Sequence, residues 1–209
     1  MSARDEILDR VRAALDQHPV AVDEAPQRAA ADEAAPDVDL FCERAGDYRA
    51  TVTPATGDDG VCAAIEAACV RHGVARLAVA EGLNAAWQPR DVTIEELGAD
   101  APLDLLDAVD GVLTTCACAI AQTGTVILDC GPGQGVRALT LVPDLHICVV
   151  PAAIIVNGVA AAVDRIGAGV RETGRPITLI SGPSATSDIE LDRVEGVHGP
   201  RRLEIIVAR

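Results

Sequence analysis

From Ser2 to Gln17, the apolar residues Ile7, Leu8, Val11, Ala14 and Leu15 recur at three- and four-residue spacing. Asp5 and Glu6 precede most of them, the pattern of an amphipathic helix with acids at its positive end. From Leu40 onward the pattern changes to short continuous apolar runs separated by helical stretches. The runs at 76–80, 109–115, 125–128, 138–142, 145–150, 177–180 and 203–207 lack period-two alternation, so each is expected as a strand buried on both faces. Residues 48–53 and a short piece within 91–107 add further strands. Helical spacing marks 40–45, 58–72 and 156–167, with Gly73 placed to end the second of these helices. Strands alternating with helices predict an α/β domain, three layers αβα around a mainly parallel sheet, and the strand-rich middle predicts an antiparallel insertion. Residues 18–39, rich in Ala, Asp, Glu and Pro, read as a flexible linker. The expected organisation is therefore an N-terminal helical arm and linker over 1–39 and the α/β domain over 40–209.

Composition narrows the picture. Hydrophobic residues make up 49% of the 209 residues but aromatics only 1%, so the core must be built from Ala, Val, Leu and Ile. All 17 basic residues are Arg, which excludes a Schiff-base or phosphate-loop lysine. The net charge of −15 repels phosphate backbones and argues against nucleic-acid binding. The polar amino terminus and the lack of a long apolar run predict no signal peptide, no membrane span and a cytoplasmic location. Seven cysteines without CxxC spacing read as reduced, mostly buried thiols, with no ferredoxin-type cluster, zinc ribbon or other metal site expected in this chain.

Four polar segments punctuate the apolar runs. Gln122-Thr123-Gly124-Thr125 leads into a strand, where a glycine lets a ligand approach the backbone. Gly131-Pro132-Gly133-Gln134-Gly135 lacks the third-glycine spacing of a dinucleotide fingerprint and precedes a predicted strand rather than a helix. It is either a hairpin turn or a loop that offers Gln134 and backbone N–H groups, with Arg137 as an anion clamp. Ser181, Ser184, Thr186 and Asp188 follow another strand and its Gly182-Pro183 turn, either as turn caps or as ligand contacts, and Asp188 to Glu190 suits the start of a short helix. His198 sits in a second turn, Gly196 to Pro200. No G-x-S-x-G elbow marks a serine hydrolase. Segments 122–125, 133–137, 181–188 and 196–199 are expected to converge at strand ends in one crevice, where Arg137, their only cation, selects a small anionic ligand.

The segment Ser181-Gly-Pro-Ser-Ala-Thr-Ser-Asp-Ile-Glu190, followed by Val194-Glu-Gly-Val-His-Gly-Pro200 and a last strand, resembles the C-terminal signature of the LUD-domain family, lactate-utilisation protein C type. Ala119 to Leu128 and Arg137 to Asp144 are similar to the same family, although Gln122 stands where the family usually has Glu. The resemblance implies the fold of ribose-phosphate isomerases, glucosamine-phosphate deaminases and CoA transferases. It implies a non-cluster subunit of a lactate-oxidising system, with iron–sulfur clusters on partner subunits and none in this chain. Such a subunit binds a small anionic ligand or supports assembly. Because Gln122 cannot ionise, catalysis by this chain alone is not expected. The alternatives are an independent enzyme of the CoA-transferase or sugar-phosphate isomerase type, and a pure interaction module.

Overall fold

In the computed structural model, residues 3–17, 35–98, 101–186, 194–196 and 198–209 are described. The chain divides into two compact units, Met1–Ala31 and Asp32–Arg209. In the first, α1 (Ala3–Gln17) carries ion pairs Arg10–Glu6 at 2.7 Å and Arg12–Asp9 at 3.1 Å, and Ile7, Leu8, Val11 and Leu15 are exposed.

The second unit runs α2 (Val38–Asp47), β1 (Thr51–Ala55), α3 (Gly57–His72), β2 (Arg76–Ala80), β3 (Thr93–Leu97), α4 (Leu103–Asp107), β4 (Gly111–Thr114), β5 (Cys118–Ile120), β6 (Thr125–Leu128), β7 (Leu145–Pro151), β8 (Ile155–Val156), α5 (Val159–Thr173), β9 (Thr178–Ile180), β10 (Ala185–Thr186), β11 (Val194–Glu195) and β12 (Arg202–Ala208). Six strands form an all-parallel sheet in the order β1-β12-β7-β4-β2-β3. Its four inner strands, β12, β7, β4 and β2, are buried on both faces, as the continuous apolar runs predict, while the edge strands β1 and β3 are partly exposed. On β7, Ile147 and Val149 meet Val61 and Ile65 of α3, while Cys148 and Val150 face the other way. That second face is covered by Phe41 and Ala45 of α2 and, toward β2 and β4, by Leu106 of α4 and Leu139.

The expected antiparallel insertion is a second sheet in the order β8-β5-β6-β9, in which β6 pairs antiparallel with both neighbours. Ala119, Val126 and Leu128 pack it against the large sheet, and Cys118, Ile120 and Ile127 pack its outer face under Ala162 and Ile166 of α5. β5 has no counterpart among the predicted strands, because the apolar stretch that follows 109–115 reads as a loop. The predicted strand at 138–142 is corrected: Arg137–Thr140 is a 3-10 turn. This stretch crosses the face of the parallel sheet from the end of β4 to the start of β7, and only Leu139 and Thr140 in it are buried, so there is no ladder for it to join. α5 also runs past the predicted stop at Gly167 to Gly174, whose φ of 62° supplies the left-handed cap, with Arg171 in the last turn. The predicted helical start at Asp188 lies outside the described residues. Among those that are described, β10 and β11 pair as a short antiparallel ladder.

The core begins upstream of Leu40. The Asp37 side chain caps α2 by accepting from Leu40 N at 2.9 Å, and the Asn157 side chain holds the Asp37 N–H and the Ala35 carbonyl. A chain lacking residues 1–34 is expected to unfold cooperatively, while extending the deletion through 39 costs about 1–2 kcal/mol more through loss of the cap. Chemical denaturation of the two truncations measures the difference; equal midpoints would place the boundary elsewhere.

Candidate functional site

A crevice of about 290 Å³ opens beside β9. Its walls are Thr178 to Ser184 on one side, Arg137, Thr140 and Leu141 on another, and the His198–Pro200 turn, with His146 and Leu203 also lining it. His146 and Leu203 are the second residues of β7 and β12, so the crevice lies at the amino ends of these parallel strands. Ligands of open α/β sheets usually sit at the carboxyl ends, where the strand order reverses. Here that reversal falls between β2 and β4, and the glycine-rich turn occupies it. Gly133 N–H donates to the Glu81 carbonyl and Thr115 N–H donates to the Gly133 carbonyl, both at 2.7 Å.

The four predicted segments therefore divide. Arg137, Ser181, Gly182, Ser184 and His198 line the crevice together. Thr125, buried, stands behind them: its hydroxyl is 2.8 Å from Ser181 Oγ and 2.7 Å from Thr123 Oγ1, a hydroxyl chain ending at the crevice wall. Ser184 organises the turn opposite, accepting the His198 N–H at its Oγ (3.1 Å) and the Gly196 N–H at its carbonyl (3.1 Å). Gly182, at φ 86°, lies so close to Tyr48 that an added Cβ would be 2.9 Å from the Tyr48 Cβ.

The other residues serve elsewhere. Gln134 is buried and closes its own loop, with Nε2 donating to Asp129 Oδ1 and Oε1 accepting from Asp129 N–H, each at 2.7 Å. Gly133 packs on Thr115 and Leu83. Neither Gly133 nor Gln134 reaches the crevice, because that loop is anchored at the opposite, carboxyl ends of β2 and β4. Gln122 is exposed, its N–H bonded to the Asn157 carbonyl, and it is not part of the crevice wall. Gly124 makes room for α2 rather than for a ligand: a Cβ there would lie 2.5 Å from the Arg44 carbonyl carbon. Thr186 belongs to β10, and Asp188 lies outside the described residues.

His146 is the crevice residue absent from the predicted ligand contacts. It sits inside an apolar strand run, and the signal is its polarity at a position where a two-sided strand wants an aliphatic. It is 1% exposed, and its Nε2 is 2.8 Å from Thr114 Oγ1. The described lining thus carries one guanidinium, two imidazoles and several hydroxyls but no carboxylate, on a chain of net charge −15. Among the described residues no group of three or more His, Cys, Asp or Glu is arranged to hold a metal ion, and no helix is long and apolar enough to cross a membrane.

The LUD-domain model matches residues 100–208. A protein named lactate utilization protein C from Deinococcus radiodurans is 54% identical over 134 residues, covering 63% of this chain and 62% of that protein. An uncharacterized protein from Neisseria meningitidis serogroup B is 35% identical over 137 residues, 62% of this chain and 58% of its own length. The match thus spans about three fifths of each of these relatives. A crystal structure of a DUF162-family protein from Deinococcus radiodurans superposes with a TM-score of 0.68 at 41% identity, over 82% of this chain and 95% of that one.

Proposed function

This chain belongs to the LUD-domain family, and from that premise we propose that it serves lactate utilisation as a non-cluster subunit that binds a small carboxylate in the crevice beside β9. Support for the role comes from the 54% identity to a relative named for lactate utilisation. The observation that carries the ligand class is the crevice's lining, which among the described residues holds Arg137, His146 and His198 and no carboxylate, since such a lining concentrates anions against the field of an acidic protein. A space of about 290 Å³ suits a small acid rather than a nucleotide. Arg137 pairs with the carboxylate; Ser181 and the Thr125 hydroxyl behind it provide neutral hydrogen bonds that orient it. The electrons released when the acid is oxidised pass to iron–sulfur partners, and this subunit presents or retains the acid.

Calorimetric titration with L-lactate and with pyruvate tests this. Arg137→Ala is expected to weaken binding by about 1.5–3 kcal/mol, the usual worth of a hydrogen bond to a charged group. Unchanged affinity in the variant would remove Arg137 from the site.

One observation favours a second reading, an independent enzyme of the CoA-transferase or sugar-phosphate isomerase type. A cavity of about 340 Å³ at the carboxyl ends of β2 and β3 includes Glu81 and Arg175, an ionisable pair in the position where α/β enzymes hold substrates. Turnover of an acyl-CoA or a phosphosugar, abolished by Glu81→Gln, would favour it.

A further inference from the structure

The crevice beside β9 is larger and more apolar than a three-carbon acid requires. At about 30 Å³ per water, a crevice of about 290 Å³ holds on the order of ten waters, and a three-carbon acid displaces roughly a third of them. Much of the remaining wall gives water little to bond to, since Leu141, Leu179, Ile180, Pro183, Pro200 and Leu203 all line the space. Displacing water from such a wall with hydrocarbon gains affinity.

Most of this apolar wall is fixed from behind. Leu203 is 4% exposed, and Ile180 packs on the same buried cluster as Leu203. Leu141 reaches the turn opposite, where its Cδ2 is 3.7 Å from the position a Cβ would take at Gly199. Leu179 is different: it is 60% exposed, on the strand that among the described residues forms the edge of the second sheet. A single exposed leucine is ordinary on a protein surface. Here it adjoins a cationic crevice whose other apolar walls are already built, so a ligand's hydrocarbon covers it without rearranging the core.

We infer, resting on the carboxylate reading of this crevice, that its preferred ligand carries an apolar tail several carbons longer than that of lactate. Arg137 holds the carboxylate, and Leu141, Leu179 and Leu203 cover the tail. A methylene taken fully out of water strengthens binding about fourfold; partial cover and the rotor it freezes reduce this to about twofold. Three added methylenes therefore separate L-lactate from its six-carbon homologue by roughly 8- to 60-fold.

The test is calorimetric titration of the full chain with L-lactate, with its straight-chain four- and six-carbon α-hydroxy homologues, and with hexanol as a tail without a head. Affinity is expected to rise at each step of the acid series, and hexanol to bind far more weakly than the six-carbon acid. Leu179→Ser is expected to shrink the ratio between the six- and three-carbon acids by about threefold. Arg137→Ala should weaken every acid by a similar factor and leave that ratio as it is. Affinity that stays flat or falls with chain length, in a series that still depends on Arg137, would overturn the apolar-tail assignment and leave a crevice for small carboxylates. Hexanol binding as tightly as the six-carbon acid would overturn it as well, because the tail would then be held without its head. If no acid of the series binds, or none depends on Arg137, the carboxylate reading itself fails and this assignment with it. The wild-type series decides even if Leu179→Ser disturbs β9.

Discussion

Gly124→Ala is expected to lower the melting temperature by on the order of 10 °C. Two costs combine at this position. Gly124 has φ 61°, a conformation that costs an L-residue about 1–2 kcal/mol. The new methyl would also overlap the Ala45 backbone nitrogen and lie 2.7 Å from Ala45 Cα, both on α2. Backbone atoms of a helix cannot swing aside as a side-chain tip can, so overpacking adds about 1–3 kcal/mol. The helix that would be displaced carries Phe41, 0% exposed and the only phenylalanine in the chain. Gly169→Ala is the control: it lies inside α5 with nothing within 4 Å of its would-be Cβ, and it should stabilise by about 0.5–1 kcal/mol. Calorimetric melting of both variants reads the contrast. A Gly124 variant that melts with the wild type would mean that α2 does not press on this turn.

Replacing both Arg71 and His72 by Ala is expected to cost about 3 kcal/mol in denaturant-measured stability. Their partner, Glu204, is 2% exposed and sits within β12 between β1 and β7. Its Oε1 accepts from Arg71 at 2.6 Å and lies 2.7 Å from His72 Nε2. Taking both partners away leaves a carboxylate in the interior with neither of these bonds. Loss of a buried partner typically costs about 3–5 kcal/mol, and the low end applies because the Arg71 side chain is 47% exposed and already shares its charge with water. Adding Glu204→Leu to the double variant should recover most of the loss, because the uncompensated charge is then gone. A double variant as stable as the wild type would show that water reaches Glu204.

The α/β architecture was legible because two-sided burial leaves a sequence mark: the runs at 76–80, 145–150 and 203–207 are apolar at every parity, and each is a parallel strand. Gly73 marked the end of α3 for an equally local reason, since the left-handed cap needs a residue without Cβ. Part of the crevice wall was legible too, because Arg137, Ser181, Ser184 and His198 are polar where the neighbouring runs are apolar. What failed were inferences that depend on where the chain travels after an element ends. The glycine-rich turn looked like a ligand loop, but its position over the ends of β2 and β4 is set by a crossing path that no local pattern encodes. Gly124 marks a close approach, and sequence cannot say whether a ligand or a helix makes that approach. The place of His146 in the crevice was not legible, because a strand's buried polar residue finds its partner, here Thr114, 32 residues earlier, only through the fold.

The most direct test of a carboxylate-binding crevice uses the chain's four histidines as reporters. His146 and His198 line the crevice, whereas His72 is engaged with Glu204 on the α3 face. Imidazole resonances followed by NMR at fixed pH, during titration with L-lactate or pyruvate, should show saturable shifts for His146 and His198. His72 should stay still, and the Arg137→Ala protein should require a higher ligand concentration for the same shifts. Saturable binding that leaves both crevice histidines unmoved, or that moves His72 alone, would contradict the account.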